Sequence, residues 1–492
     1  YVYPESLINP SLIHSSNAAA ALIGLEPDYC KNPEFLKIIT GQALLPGTKP
    51  YAMCYGGHQF GHWAGQLGDG RAINLTEVLY KNRLWAIQLK GAGKTPYSRR
   101  ADGLAVLRSS IREHLCSEAM HCLGVPTSRS LSLALTGNKV MRDILYDGHP
   151  APEPGAIVCR IAQSFVRFGS FEIHTANHDN ITLRKLADYT IRHFYSNINS
   201  ESKNCYSELF SAVCNRSLDM VIHWQRVGFV HGVMNTDNMS ILGETIDYGP
   251  YGWLEGYDAN WTPNTTDSQH RRYRFGQQIE VVRWNLFQLA NALYPLINDA
   301  EPLETALKDF KRQATEKYQA MMLEKLGLVE KDISDEELIQ LLENTLQLSE
   351  TDMTIFFRCL ANYKKKQLFE QQDTWIRIIQ SSFYKPEEIS DSIKSAWIKW
   401  ILIYLERLQK EPRTDLARKS AMNMINPKYV LRNYMAQMAI DLAEKGDYSL
   451  IHELHHLLQK PYDEQPAMEK WCAKRPDWAR DKVGCSMLSC SS

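Results

Sequence analysis

Short apolar runs punctuated by glycine and turn residues fill about the first 150 positions, the texture of β-strands. Segment 84–90 is one such run and 156–162 another. Between them the period changes. Over 108–123, Ile111, Leu115 and Ala119 fall on one helical face, Ser109 is placed to cap it, and Gly124 with Pro126 ends it. From about residue 181 helical periodicity takes over, in segments 181–195, 208–226, 281–296 and 303–326 and then further helices to 458. One break interrupts that half, 229–257, a mix of apolar residues, Gly and Asp typical of a catalytic loop. Strands first and helices afterwards make an α+β arrangement, with the groove between the two parts as the natural ligand site.

Composition narrows the class without changing this picture. The 492 residues are 44% hydrophobic and 23% charged, an ordinary globular balance, and their length fits about three structural units or a two-lobed body with an extension. Fifty-five Lys+Arg against 56 Asp+Glu give a net charge of −1, which argues against a general nucleic-acid or anionic-membrane binder. The apolar stretch 397–405 is short and interrupted by Lys399, so it does not span a bilayer. Eleven cysteines, an odd number with no C-x-x-C pair, fit neither a disulfide framework nor a structural zinc site and point to a reducing compartment. Cys485 and Cys490, in a polar tail, are the thiols that stand out. Because the sequence begins at Tyr1 rather than Met, a targeting segment could have been removed.

The chemistry concentrates in Phe229-Val-His-Gly-Val-Met-Asn-Thr-Asp-Asn238 and Ile246-Asp-Tyr-Gly249. Kinase-like sites use a loop with His, a catalytic Asp and a later Asn, followed by a second Asp. Asn238 and Asp247 are hard oxygen donors suited to holding magnesium against phosphates. Val233 stands where small-molecule kinases place their base, and a different carboxylate, Asp237, precedes the Asn. The rival reading is a polar turn whose Asp and Asn only cap helices. Upstream, Trp85-Ala-Ile-Gln-Leu-Lys90 is similar to the strand lysine that contacts phosphates and pairs with a helix Glu; Glu113 is the expected partner and Glu118 the alternative. Gly65-Gln-Leu-Gly-Asp-Gly-Arg71 reads as a nucleotide-covering loop, its glycines admitting backbone N–H groups to phosphate oxygens. Arg99, Arg100, Arg108, Arg160 and Arg167 suggest a local anion pocket, although any one of them alone is more readily a surface ion pair.

Two look-alikes fail. Gly91-Ala-Gly-Lys-Thr95 imitates the end of a P-loop, but Gln88 replaces the required first Gly and Pro96 follows at once. His452-Glu-Leu-His-His456 matches the zinc-peptidase H-E-x-x-H, yet Leu450, Ile451, Leu454, Leu457 and Leu458 form the apolar face and turn His452 and His456 outward.

Taken together, Gly56-Gly-His-Gln-Phe-Gly-His-Trp63, Gly65-Gln-Leu-Gly-Asp-Gly-Arg71, Gln88-Leu-Lys-Gly-Ala-Gly93, Thr95-Pro-Tyr-Ser-Arg99, Asp102-Gly103, Val106-Leu-Arg-Ser-Ser110 and His231-Gly-Val-Met-Asn-Thr-Asp-Asn238 resemble the selenoprotein O family. Ile246-Asp-Tyr-Gly-Pro250, Asn426-Pro427 and Ser489-Cys-Ser-Ser492 add to a likeness that runs nearly the length of the chain. The resemblance implies a two-lobed protein-kinase-like fold, with a strand-rich N-lobe, a helical C-lobe and a helical C-terminal extension. It implies transfer of AMP from ATP, held flipped relative to a kinase, to Ser, Thr or Tyr hydroxyls of proteins. Carried over, the nucleotide contacts fall on Gly68, Gly70, Arg71, Lys90, Asp102, Gly103, Arg160, Arg167 and Asp247. The proton acceptor falls on Asp237, the metal ligands on Asn238 and Asp247, and the lysine's partner on Glu113. The domains follow as 1–155 (nucleotide-binding lobe), 156–300 (C-lobe core with the catalytic and metal loop) and 301–492 (helical region and tail).

Mg2+ or Mn2+ is the expected metal, a protein the expected partner, and a monomer without nucleic acid or membrane the expected state. The compartment would be the cytoplasm in a bacterium and the mitochondrion in a eukaryote. Cys490 stands where eukaryotic members often carry selenocysteine. Trp261-Thr-Pro-Asn264 replaces a loop in which some bacterial members have Cys, which argues against a redox clamp from loop to tail. Ordinary phosphoryl transfer with Asp237 as base, and a silent nucleotide-binding scaffold, are the alternatives to adenylylation. The full set of metal ligands and the lysine count against the scaffold.

Overall fold

The computed structural model describes residues 1–143, 148–485 and 488–489; Cys490 lies outside them. In chain order the strands of the first part are β1 (Ser11–Ser15), β2 (Gly56–Gln59), β3 (His62–Gln66), β4 (Ala72–Tyr80), β5 (Arg83–Lys90), β6 (Ala105–Val106), β7 (Arg129–Arg142) and β8 (Ala151–Ala162). Five form an antiparallel sheet in the order β1-β7-β8-β5-β4, with β6 alongside β8, while β2 and β3 pair as a separate hairpin.

Strand alternation sends successive side chains to opposite faces. Ile87 and Leu89 of β5, with Ile157, Cys159 and Ile161 of β8, face the short helices α1 (Asn17–Leu22) and α2 (Pro33–Ile39), where Ala19, Ala20, Phe35 and Ile39 complete one core. Ala156 and Val158 belong to the core on the other side, which contains Leu107, Ile111 and Leu115 of α3 (Leu107–Cys122). Gln88, Lys90 and Arg160 are therefore on the α3 side, and Gln88 pairs in register with Arg160.

Helix α3 starts one residue earlier than its periodicity indicated. Val106 occupies the N-cap without a side-chain bond, and Ser109 Oγ instead donates back to the Val106 carbonyl at 3.2 Å. The helix is buried on nearly every side, so packing rather than a cap holds its first turn.

The second part is helical. It runs through α4 (Phe168–Ala176), α5 (Asn180–Phe194), α6 (Cys205–Val227), α7 (Gln278–Ile297) and α8 (Glu301–Leu326). It continues through α9 (Asp335–Leu346), α10 (Met353–Leu360), α11 (Gln372–Ile379), α12 (Asp391–Gln409), α13 (Asp415–Ile425), α14 (Asn433–Ala443) and α15 (Ser449–Leu458). Among the described residues no helix is long and apolar enough to cross a membrane. The break after α6 holds the two-residue strands β9 (Phe229–Val230) and β10 (Gly252–Trp253), and α-helix resumes at Gln278, shortly before the expected start at 281. The chain returns to this break near its end, where Thr265 donates through its backbone N–H (2.9 Å) and Oγ1 (3.0 Å) to the Leu488 carbonyl.

Candidate active site

The segment after β9 is folded by its own buried histidine. His231 accepts from the Val233 N–H at Nδ1 (3.3 Å), which leaves Nε2 to donate to the Ile246 carbonyl (3.0 Å). Burial lowers its pKa, so the ring is neutral and serves as a strut between the two halves of the loop. Gly232 must bend here (φ +81°), and a Cβ on it would strike the Pro250 carbonyl. The strut delivers Asp237 and Asn238 on one side and Asp247 on the other. Asp247 sits in the left-handed region (φ 59°), which Asp tolerates better than most residues.

Asp247 is the electrostatic centre. Arg160 Nη1 bonds its Oδ1 at 2.6 Å, Arg167 Nη1 bonds its Oδ2, and Lys90 Nζ lies 3.9 Å from Oδ1. Burial works to raise this carboxyl, but Arg167, Arg160 and Lys90 outweigh it and hold it well below the usual carboxylate range. Glu113 on α3 lies 2.6 Å from Lys90 Nζ and 2.8 Å from Arg160 Nη1. Glu118, the alternative partner, is occupied by Arg129 and Ser16 on the far side of α3.

Arg167 is fully buried against the Tyr55 ring, 4.7 Å from its centroid, and also donates to the Asp237 carbonyl at 2.6 Å. Burial raises the Asp237 carboxyl to about 6, against opposing pulls from the Gln59 amide and Arg167. Gln59 Nε2 donates to its Oδ2 at 3.1 Å, whereas Oδ1 is buried without a partner.

Two cavities meet at Asp247. The larger, about 650 Å³, is lined by Gly68, Gly70, Arg71, Lys90, Arg160 and Asp247, with Tyr55, Asp69, Tyr97 and residues 98–101 completing the wall. The smaller, about 160 Å³, is shared by Asn238, Asp247, Lys90, Glu113, Arg71 and Val233. Asn238 donates its Nδ2 to the Val233 carbonyl at 2.9 Å. Asp237 and Arg167 line neither cavity. Asp102 and Gly103 also lie outside both walls: Arg142 engages Asp102 through two bonds of 2.7 and 2.8 Å, and Gly103 packs against the Gly93 carbonyl.

Three contributors escape sequence reasoning. Asp69, buried, is 3.7 Å from Arg167; Gln88 bonds Arg160 and, at 3.3 Å, Asp69; and Gln59 crosses 178 positions to reach Asp237. Gln59 lies in a Gly-rich segment that carries no chemistry by itself. Its role depends on β2 docking against the loop, where the His58 N–H donates to Thr236 Oγ1 at 2.7 Å.

That docking is close. A Cβ on Gly57 would stand 3.0 Å from both Cβ and Oδ1 of Asp237. Gly57→Ala is expected to lower kcat by about 10²-fold with an unchanged far-UV spectrum and nucleotide affinity, measured by steady-state kinetics and nucleotide titration.

The sequence pattern of the family described as "Protein adenylyltransferase SelO" matches residues 1–459. A "Protein nucleotidyltransferase YdiU" of Flavobacterium johnsoniae is 61% identical over 492 residues, covering 100% of this chain and 94% of its own length. Proteins of the same name from Rhodopirellula baltica and Aromatoleum aromaticum are 52% and 51% identical, again covering 100% of this chain and 94% of their own.

Proposed function

The chain belongs to the SelO family of protein adenylyltransferases, and from that premise we propose that it transfers AMP from ATP to a Ser, Thr or Tyr hydroxyl of a protein, with pyrophosphate leaving. It is an enzyme, a protein nucleotidyltransferase. The observation that carries the finer reading is the cavity of about 650 Å³ walled by Gly68, Gly70, Arg71 and Lys90 that ends on Asp247. The Lys90–Glu113 pair and the Asn238/Asp247 loop support a two-lobed protein-kinase-like fold, divided at 1–155, 156–300 and 301–492.

The charge balance explains why cations beyond the inner ring are needed. Lys90, Arg160 and Arg167 are matched by Glu113, Asp247 and Asp69. This cluster is close to neutral before a triphosphate enters. Arg71, Arg99 and Arg100 also line the large cavity and add positive charge to the nucleotide wall. The rest falls to a divalent ion. Asn238 and Asp247 present oxygen donors to one cavity of about 160 Å³, a donor set that fits Mg2+ or Mn2+. Such an ion, when bound, neutralises phosphate charge as the α-phosphorus is attacked.

Asp237 takes the hydroxyl proton. Its Oδ1 has an unfilled acceptor position, Gln59 holds the other oxygen, and Arg167 fixes the backbone behind it. A carboxyl with a pKa of about 6 is mostly ionised at neutral pH yet more basic than an ordinary aspartate. The sign follows: only the deprotonated form accepts a proton. Below about pH 6, kcat/KM is therefore expected to fall about tenfold per pH unit, read from a pH–rate profile at saturating metal. A profile flat to pH 5 sinks the assignment.

The direct test supplies ATP labelled at the α-phosphate or at the γ-phosphate, with Mg2+ and an acceptor protein. Retention of the α label alone is the expected result. Retention of the γ label alone identifies a kinase and overturns the reading.

A further inference from the structure

Helix α15 sends one histidine inward, and it is not one of the pair that imitates a peptidase. His455 is buried, while His452 and His456 are exposed. It meets His114 of α3 and His14 of β1, and each of the three rings offers a nitrogen, all within 4.8 Å of one another. His14 Nδ1 and His114 Nε2 are 2.9 Å apart, and the His14 and His455 ring centroids are 4.2 Å apart.

The hydrogen bonding of this cluster is incomplete in a specific way. A neutral imidazole has one N–H and one lone pair. His114 commits Nδ1 to Ser130 Oγ at 2.6 Å and turns Nε2 inward. His455 approaches Gln459 with Nδ1, 3.5 Å from its amide nitrogen, and leaves Nε2 buried with no partner. A single proton satisfies the His14–His114 contact, and nothing among the described residues satisfies His455 Nε2.

We propose that His14, His114 and His455 form a binding site for a zinc-class divalent metal, with water in the fourth position. Zn–N bonds of about 2.0–2.1 Å at tetrahedral angles put ligand nitrogens about 3.4 Å apart, a spacing that the 2.9 Å contact and the 4.8 Å limit bracket. The remote nitrogens of His114 and His455 already have polar neighbours of the kind that fix a ligand's tautomer. The facing groups leave the ligands uncharged. Glu118 is paired with Arg129, and burial together with the neighbouring histidines lowers His14 to about 3 and His114 well below its ordinary value. His14 is only half-buried beside exposed His452, their ring centroids 5.0 Å apart, which gives an ion a path in. The site would join β1, α3 and α15, and His114 directly follows Glu113, the partner of Lys90.

The test uses the full chain without a histidine tag, stripped with a chelator and reloaded with Zn2+ or Co2+. One Zn2+ per chain is expected to survive dialysis. Co2+ is expected to give the strong visible bands of a four-coordinate nitrogen site, which an oxygen site at Asn238 and Asp247 does not produce. His14→Ala should weaken Zn2+ binding at least about 100-fold and remove those bands, whereas His452→Ala keeps both. Equal zinc affinity in wild type and His14→Ala overturns the proposal. So does a wild-type Co2+ spectrum with only weak octahedral bands, an outcome that does not depend on any variant folding.

Discussion

Asp247→Asn is expected to abolish metal-dependent AMP transfer, with a loss of at least about 10³-fold, while ATP still binds. The loss follows from removing a charged oxygen donor, since metal stabilisation of a phosphoryl transition state is worth several kcal/mol, about tenfold in rate for each 1.4 kcal/mol. Binding persists for a separate reason. In the wild type, Asp247 engages Arg160 and Arg167 and draws Lys90 to 3.9 Å. The amide releases that positive charge towards the phosphates, so ATP affinity measured without divalent metal should rise. The fold has reserves, because Arg160 keeps Glu113 at 2.8 Å and Arg167 keeps the Asp237 carbonyl at 2.6 Å. Stripping a buried ion of its partner costs about 3–5 kcal/mol, and here neither arginine is fully stripped. Unchanged turnover in this variant removes Asp247 from the metal site.

Asp237→Asn should lower kcat by about 10²–10⁴-fold, the usual weight of a positioned general base, with little change in nucleotide affinity. The carboxylate lines neither cavity, so its removal does not disturb the nucleotide wall. Gln59 can still donate to the remaining amide oxygen, which keeps the side chain in place. The residual activity should lose the fall below about pH 6, because the group responsible no longer titrates. A variant that is slow but keeps the wild-type pH profile assigns the proton to another group.

The strands and helices were legible because their cores are periodic. The apolar run 84–90 is a strand buried from Trp85 to Leu89, and Ile111, Leu115 and Ala119 are buried on the helical face that their spacing predicts. The juxtaposition of Lys90 with Glu113 is also legible, because the strand 85–90 is similar to the one whose lysine pairs with a glutamate of the following helix. Contacts between distant segments could not be. Gln59 reaches Asp237 and Asp69 reaches Arg167 only after the β2–β3 hairpin and the following loop have folded onto the rest. The cap at Ser109 failed because local capping matters little in a helix buried all round. His455 is not legible in the sequence, because the H-E-x-x-H spacing singles out two exposed histidines, while its partners on β1 and α3 lie hundreds of positions earlier in the chain.

The contact of Thr265 with Leu488 sets a schedule for biosynthesis. The two residues are 223 positions apart, and at ribosomal speeds of about 5–20 residues per second the second arrives about 10–45 s after the first. Throughout that interval a nascent chain already contains every residue that lines the two cavities, and Asp237 as well. What it lacks at first is α14 and α15, which pack on α3, and to the last the Leu488 carbonyl under the loop that follows those residues. The order of synthesis thus puts the residues of the nucleotide pocket into the chain well before the contact that finishes that loop can form.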